Sequence, residues 1–174
     1  YRAVLSRLRA KGAKVVAQAV AAAQPAFSDA ELERYARHII LREIGGPGQK
    51  KLKAAKVLVV GAGGLGSPAL LYLAAGGVGT IGLIDADVVD TTNLQRQIIH
   101  ADARIGMPKV FSAEQAIRAL NPFVTIRPYQ RRLDDAVAEA LIADYDLVLD
   151  GTDNFATRYL VNRVCVAQGK PLIS

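Results

Sequence analysis

Short apolar runs alternate with longer helical segments over most of the chain. Residues 56–60 (KVLVV) form an apolar run that ends at a glycine, and comparable runs follow at 80–85, 123–127, 146–150 and 171–174. Near-continuous apolar runs this short read as strands buried on both faces. Between them, 65–75, 109–120, 134–143 and 154–168 have helical character. Strand, helix and strand in repetition predict parallel strands joined by right-handed crossovers, with helices on both faces of the sheet. The fold class expected is therefore α/β, a doubly wound Rossmann-like parallel sheet.

Ahead of the first strand, Ser28-Asp-Ala-Glu31 has the form of a capping box and starts a helix that runs to about Leu41. Gly45-Gly46-Pro47-Gly48 is expected to break it, and 49–55 to form a short second helix. Residues 2–23 are rich in alanine, with Val4, Leu8, Val15, Ala19 and Ala23 near helical spacing, an interruption at Gly12 and a stop at Pro25. The chain thus divides into an alanine-rich basic helical extension, 1–27, and a nucleotide-binding domain, 28–174. The last apolar run ends the sequence with nothing to cover it, so the rest of the sheet is expected beyond Ser174.

Composition narrows the classes. Of the 174 residues, 51% are hydrophobic and 22% charged, which excludes wholesale disorder. The net charge of +6 is local: Arg2, Arg7, Arg9, Lys11 and Lys14 supply +5 with no acid among residues 1–25. The remainder holds 17 basic and 16 acidic side chains, so the folded part lacks the basic face of a nucleic-acid binder. The uncharged run 15–28 contains Gln18, Gln24 and Pro25 and is too short to cross a membrane. Cys165 is the only cysteine, which rules out a disulfide framework or a cysteine zinc site within the chain and makes the cytoplasm the expected compartment.

The candidate chemistry starts at Gly61-Ala62-Gly63-Gly64-Leu65-Gly66, between the first strand and its helix. Small residues at this spacing allow a tight turn, close approach of backbone to phosphate, and packing of helix on strand. The helix N-terminus then offers unpaired N–H groups to an anion. The second strand ends on Asp85, placed to accept hydrogen bonds from ribose hydroxyls. Asp87, Thr92, Asn93, Leu94, Gln95, Arg96 and Gln97 follow, and then Lys109. An amide, an arginine and a lysine converging at the carboxyl edge of the sheet suit a triphosphate. The plainer reading is a solvated loop in which Thr92 caps a short turn. Asp150, Asp153 and Asn154 close the fourth strand, where open α/β sheets present their ligands. Carboxylates joined by phosphate oxygens are how magnesium is usually held, whereas Asp153 or Asn154 could instead cap the next helix. No Walker-type sequence is present, so ATP would be held without a P-loop.

Six stretches carry a family resemblance: RYARHIIL (34–41), VGAGGLG (60–66), IDAD (84–87), TNLQRQ (92–97), GMPK (106–109) and LDGTDN (149–154). In this order they resemble the ubiquitin-activating-enzyme-like adenylyltransferases, in particular the molybdopterin-synthase adenylyltransferase group that includes MoeB, ThiF and HesA. The resemblance implies a homodimeric enzyme that uses ATP and Mg2+ to adenylate the C-terminal Gly-Gly of a ubiquitin-like sulfur-carrier protein, with release of pyrophosphate. It implies that Gly61, Gly63, Gly64 and Gly66 bring backbone to the nucleotide, that Asp85 takes the ribose, and that Asn93, Arg96 and Lys109 hold phosphates. It further implies that Asp153 binds magnesium and that Arg37 reaches the γ-phosphate in the partner subunit. Asp87, Thr92, Leu94, Gln95 and Asn154 complete the implied nucleotide-binding set. The paired Cys-x-x-Cys motifs common in the group are absent from these residues, so a structural Zn2+ is implied only through residues beyond the chain.

Other residues read plainly. Cys165, among Val161, Val164 and Val166, fits a small core residue with no base beside it. His38 and His100 lack neighbours at ligand spacing, Tyr35 suits packing, and Arg131-Arg132 a solvated edge. Two competing functions share the glycine loop. An NAD(P)-dependent oxidoreductase would leave Asn93, Arg96, Lys109 and Asp153 without a role. A related enzyme activating a small-molecule or tRNA-base carboxylate would use the same nucleotide site.

Overall fold

The computed structural model describes residues 26–174, and the alanine-rich helix expected within 2–23 lies outside them. Of the two compact units into which the chain divides, the second is Tyr35–Ser174. The described residues of the first carry the capping box: the Ser28 backbone N–H donates to Glu31 Oε2 at 2.8 Å, and the Glu31 N–H to Ser28 Oγ at 3.3 Å. They open helix α1, Asp29–Ile39.

Helix α2, Gly45–Ala54, departs from expectation. Gly45 to Gly48 form its first turn instead of breaking the chain; the break falls in the turns at 40–44. The first turn of a helix has no intrahelical use for its N–H groups, so Pro47 costs nothing there.

A parallel sheet of five strands follows: β1 (Lys56–Val60), β2 (Thr80–Ile84), β3 (Thr125–Tyr129), β4 (Leu147–Asp150) and β5 (Leu172–Ile173). Their order across the sheet is β3-β2-β1-β4-β5, so the direction of winding reverses between β1 and β4. The crossovers are α3 (Gly66–Gly76), α4 (Lys109–Leu120), α5 (Asp135–Ala143) and α6 (Phe155–Gln168). The doubly wound sheet is thus as expected. Only β3 sits clearly off its predicted span, two residues later, and it includes Pro128. As an edge strand it tolerates a residue with no N–H to donate.

Strand β1 shows why the sheet is covered on both sides. Val57 and Val59 face one core, with Leu70 and Ala74 of α3 and Val110, Ala113 and Ile117 of α4. Leu58 and Val60 face the other, with Ala138 and Ile142 of α5 and Val161, Val164 and Cys165 of α6. After the exposed Lys56, the four side chains from Val57 to Val60 are all buried, so that run has no polar face and no alternation. Among the described residues, no helix is long and apolar enough to cross a membrane.

Candidate active site

The loops leaving β1 and β4 meet where the winding reverses, the position at which doubly wound sheets bind ligands. Gly61 has φ +92°, and a Cβ on it would lie 3.2 Å from the Gly151 carbonyl oxygen. A Cβ on Gly66 would lie 1.9 Å from the Gly61 carbonyl oxygen, so the chain turns back on itself with no room for a side chain. Gly63 has nothing within 4 Å of a Cβ and is the open side of the loop. Gly64 faces the Arg96 side chain, with Cδ 3.6 Å from the position of a Cβ.

Asp85 ties this loop to β2. Its Oδ2 accepts the Ala62 N–H and its Oδ1 the Asp87 N–H, both at 2.8 Å. The carboxylate is therefore fixed by backbone donors, and each oxygen keeps lone-pair capacity for a further donor. Asp87 is the partner of Lys109: Nζ lies 3.1 Å from Oδ2, and the Lys109 N–H donates to the Asp87 carbonyl at 2.9 Å. The lysine side chain is 7% exposed against 65% for the aspartate, so the ammonium is held at the wall while its counter-charge stays in solvent. The loop between them returns through an isolated bridge of Val88 to Pro108.

The turn at 91–97 is built differently from the sequence reading. Asp90, not Thr92, is the cap: its Oδ1 accepts the Thr92 N–H at 2.8 Å and the Thr92 hydroxyl at 2.6 Å. These two bonds hold the Asp90 carboxyl below the usual carboxylate value. Gln95 Nε2 donates to the Thr92 carbonyl at 3.1 Å, and Leu94 is half-buried. Arg96 is exposed and donates to the Thr92 carbonyl and to Asn93 Oδ1, each at 3.3 Å.

At the end of β4, Asp150 Oδ1 accepts the Thr152 N–H at 2.9 Å and the Thr152 hydroxyl at 2.6 Å. Asn154 caps α6, its Oδ1 accepting the Thr157 N–H at 2.9 Å. Asp153 is exposed and makes no hydrogen bond among the described residues. No group of three or more His, Cys, Asp or Glu side chains that could hold a metal occurs among them. A magnesium ion completed by phosphate oxygens needs only one or two carboxylates, and Asp153 meets that condition.

The glycine loop, Asp85, Asp87, residues 92–96 and Lys109 are thus brought together, with 150–154 alongside through Gly151. Arg37 is not among them. Its neighbours Tyr35 and His38 are tied to the far end of α3: Asn121 Nδ2 donates to Tyr35 Oη at 2.8 Å and to the Ala74 carbonyl at 2.7 Å. His38 Nδ1 is 3.0 Å from Gln49 Oε1, and Gln49 Nε2 donates to the Gly76 carbonyl at 2.9 Å. Helix α3 rises about 1.5 Å per residue, so its 11 residues separate that end from the glycine loop by about 16 Å.

His100 is the residue that the sequence reading set aside. It is buried, with Nε2 3.1 Å from the Ala62 carbonyl oxygen and Nδ1 2.9 Å from Ser112 Oγ, so it joins the glycine loop to α4. Burial lowers its pKa, Lys109 and Arg104 lower it further, and the Ala62 carbonyl and Asp85 oppose them. Cys165 is the core residue expected, 1% exposed, its thiol pushed up by burial and by the Asp150 charge.

The chain is similar in sequence and fold to known proteins. The model of the ThiF family matches residues 35–174. The chain is 57% identical over 148 residues to the probable adenylyltransferase/sulfurtransferase MoeZ of Mycobacterium tuberculosis, covering 85% of this chain and 38% of that protein. It is 50% identical over 143 residues to the SAMP-activating enzyme E1 of Haloferax volcanii, covering 82% and 53%. Among solved structures it resembles E. coli tRNA N6-threonylcarbamoyladenosine dehydratase, TcdA, in complex with ATP, at a TM-score of 0.79 and 29% identity, covering 83% and 59%. The chain therefore spans between about a third and about a half of the curated relatives it matches.

Proposed function

The chain belongs to the ThiF family, and from that premise we propose that it is the nucleotide-binding domain of an adenylyltransferase acting on a ubiquitin-like sulfur-carrier protein. The observation that carries the proposal is the assembly of Asp85, Asn93, Arg96 and Lys109 around one glycine loop. A dinucleotide cofactor would leave the last three without work.

In the reaction, a carboxylate oxygen of the carrier's C-terminal glycine attacks the α-phosphorus of ATP. The bond from that phosphorus to the bridging oxygen of the β-phosphate breaks, and pyrophosphate leaves with the bonding pair. The attacking group is already an anion, so no general base is required, and catalysis reduces to positioning and to stabilising charge on the transferring phosphate. Arg96 and Lys109 supply fixed cations, Asn93 a neutral donor, and Asp85 holds the ribose. Asp153 would hold Mg2+, which neutralises phosphate charge when bound.

Arg37 acts, in this proposal, on the nucleotide of the other subunit of a homodimer. The attachment of Tyr35 and His38 to the far end of α3 supports this reading over a role in its own site. The test of the function is carrier-dependent exchange of pyrophosphate into ATP by the full-length protein. Exchange is expected with a carrier ending in Gly-Gly and is expected to vanish when that pair is removed; Mg-ATP should raise the melting temperature and NAD should not. Stabilisation by NAD alone, with no exchange, would favour the oxidoreductase.

A further inference from the structure

Gln97 is 3% exposed and stands one helical turn after Asn93. Its Nε2 donates to Asn93 Oδ1 at 2.8 Å, while its own Oε1 is buried with no partner. The backbone fixes the pair as well, since the Gln97 N–H donates to the Asn93 carbonyl and the His100 N–H to the Gln97 carbonyl, each at 3.0 Å.

The orientation of both amides follows from Arg96. A guanidinium has donors only, so the Asn93 carboxamide must turn its oxygen toward it, as the 3.3 Å bond shows. Gln97 meets that same oxygen and must offer its NH2 group. Its oxygen is then left over, at a cost in stability. The result is that Asn93 Oδ1 is engaged twice and Asn93 Nδ2 has no partner among the described residues. A half-buried amide is thereby presented as a donor.

We infer that Gln97 is a positioning residue: it locks the Asn93 carboxamide with its NH2 group outward, so that the site offers the nucleotide phosphates a donor and never a carbonyl oxygen. The inference rests on the adenylyltransferase reading of this site. Arg96 sets this orientation while it faces Asn93; when, in that reading, its guanidinium turns to the phosphates, the Gln97 bond still holds Asn93 Oδ1, and reversal requires both amides to flip together. Gln97, beneath and out of solvent, does not move with it. An amide that flipped would set a carbonyl dipole against a polyanion.

Calorimetric titration of the full-length protein with Mg-ATP and with adenosine tests this. Gln97→Met removes the donor and the stranded oxygen at similar volume. It should weaken ATP by about tenfold or more, the loss of one hydrogen bond to a charged group, leave adenosine unchanged and not lower the melting temperature. Gln97→Glu replaces the donor by an acceptor, turns the Asn93 NH2 group inward and should weaken ATP further. In an Asn93→Ala background, Gln97→Met should add nothing. If Asn93→Ala weakens ATP and Gln97→Met does not, the inference fails and the site stands. Equal losses for ATP and adenosine, or a full additional loss on Asn93→Ala, would make Gln97 a structural residue only. If Asn93→Ala itself leaves ATP affinity intact, the reading of the site fails and the inference with it.

Discussion

Asp85 and His100 each hold the glycine loop, one by its Ala62 N–H and the other by its Ala62 carbonyl. Asp85→Ala should therefore weaken ATP by about tenfold or more, a charge-assisted hydrogen bond being worth about 1.5–3 kcal/mol. The 2′,3′-dideoxy analogue should weaken less, and the difference reads the ribose contribution apart from that of the loop; equal losses would confine Asp85 to the loop. The consequence of His100 is a pH dependence. Its pKa in the folded protein lies below the ordinary 6.5, so as pH falls through that value the unfolded chain takes up a proton that the folded protein refuses. Stability contributed at neutral pH is then lost progressively until the folded-state value is passed. Urea denaturation at several pH values between about 7 and 5 should show this decline. His100→Gln, which keeps a donor for Ala62, should give a shallower one. A wild-type slope unchanged by the substitution would assign the effect to other groups. Asn154 as a helix cap was open to sequence reading. The Ala62–His100 contact was not, because its partners stand 38 positions apart.

At the level of elements, the glycine loop separates two demands that the motif alone merges. Gly66 is required by the fold, since a methyl group there would overlap the Gly61 carbonyl oxygen. Gly66→Ala should cost at least about 2 kcal/mol of stability in a denaturant titration, backbone having to shift to admit it. Gly63 has open space around it. Gly63→Ala should leave stability within about 0.5 kcal/mol, yet weaken ATP, because in the proposed site that space takes the nucleotide. An unaltered ATP affinity in Gly63→Ala would remove that glycine from the site. Helix and strand positions were largely legible: Lys56–Val60 and Lys109–Leu120 fall where pattern placed them. The misreadings came from Gly and Pro. Residues 45–48 are expected to break the helix that starts at Ser28, but they form the first turn of the next helix, and Pro128 falls outside the expected strand 123–127 yet belongs to an edge strand that admits it. Both residue types act through which N–H groups need partners, and that depends on the neighbouring element.

For the whole molecule, the attachment of Arg37's neighbours Tyr35 and His38 to the far end of α3 gives the sharpest prediction. If the site is shared, the full-length variants Arg37→Ala and Asp153→Ala are each inactive, and mixing them with subunit exchange restores activity. Each mixed dimer then has one site with both native residues. Statistical exchange of equal amounts makes half the dimers mixed, so bulk exchange activity should approach about a quarter of wild type. Activity that stays at background after exchange is demonstrated would return Arg37 to its own subunit or to no role.

The alternation of apolar runs and helical segments determined the α/β class, and the six short motifs determined the family, because burial periodicity and glycine-rich turns are local properties of the chain. Which residues close the site is not local. Strand order put the β1 and β4 loops side by side, the register of β2 brought Asp85 under Ala62, and the return of the loop after β2 set Lys109 against Asp87. The direction in which Asn93 presents its amide depends on a guanidinium and a buried glutamine acting on one oxygen atom. A one-dimensional pattern records that an amide is present; only packing in three dimensions decides whether it donates or accepts.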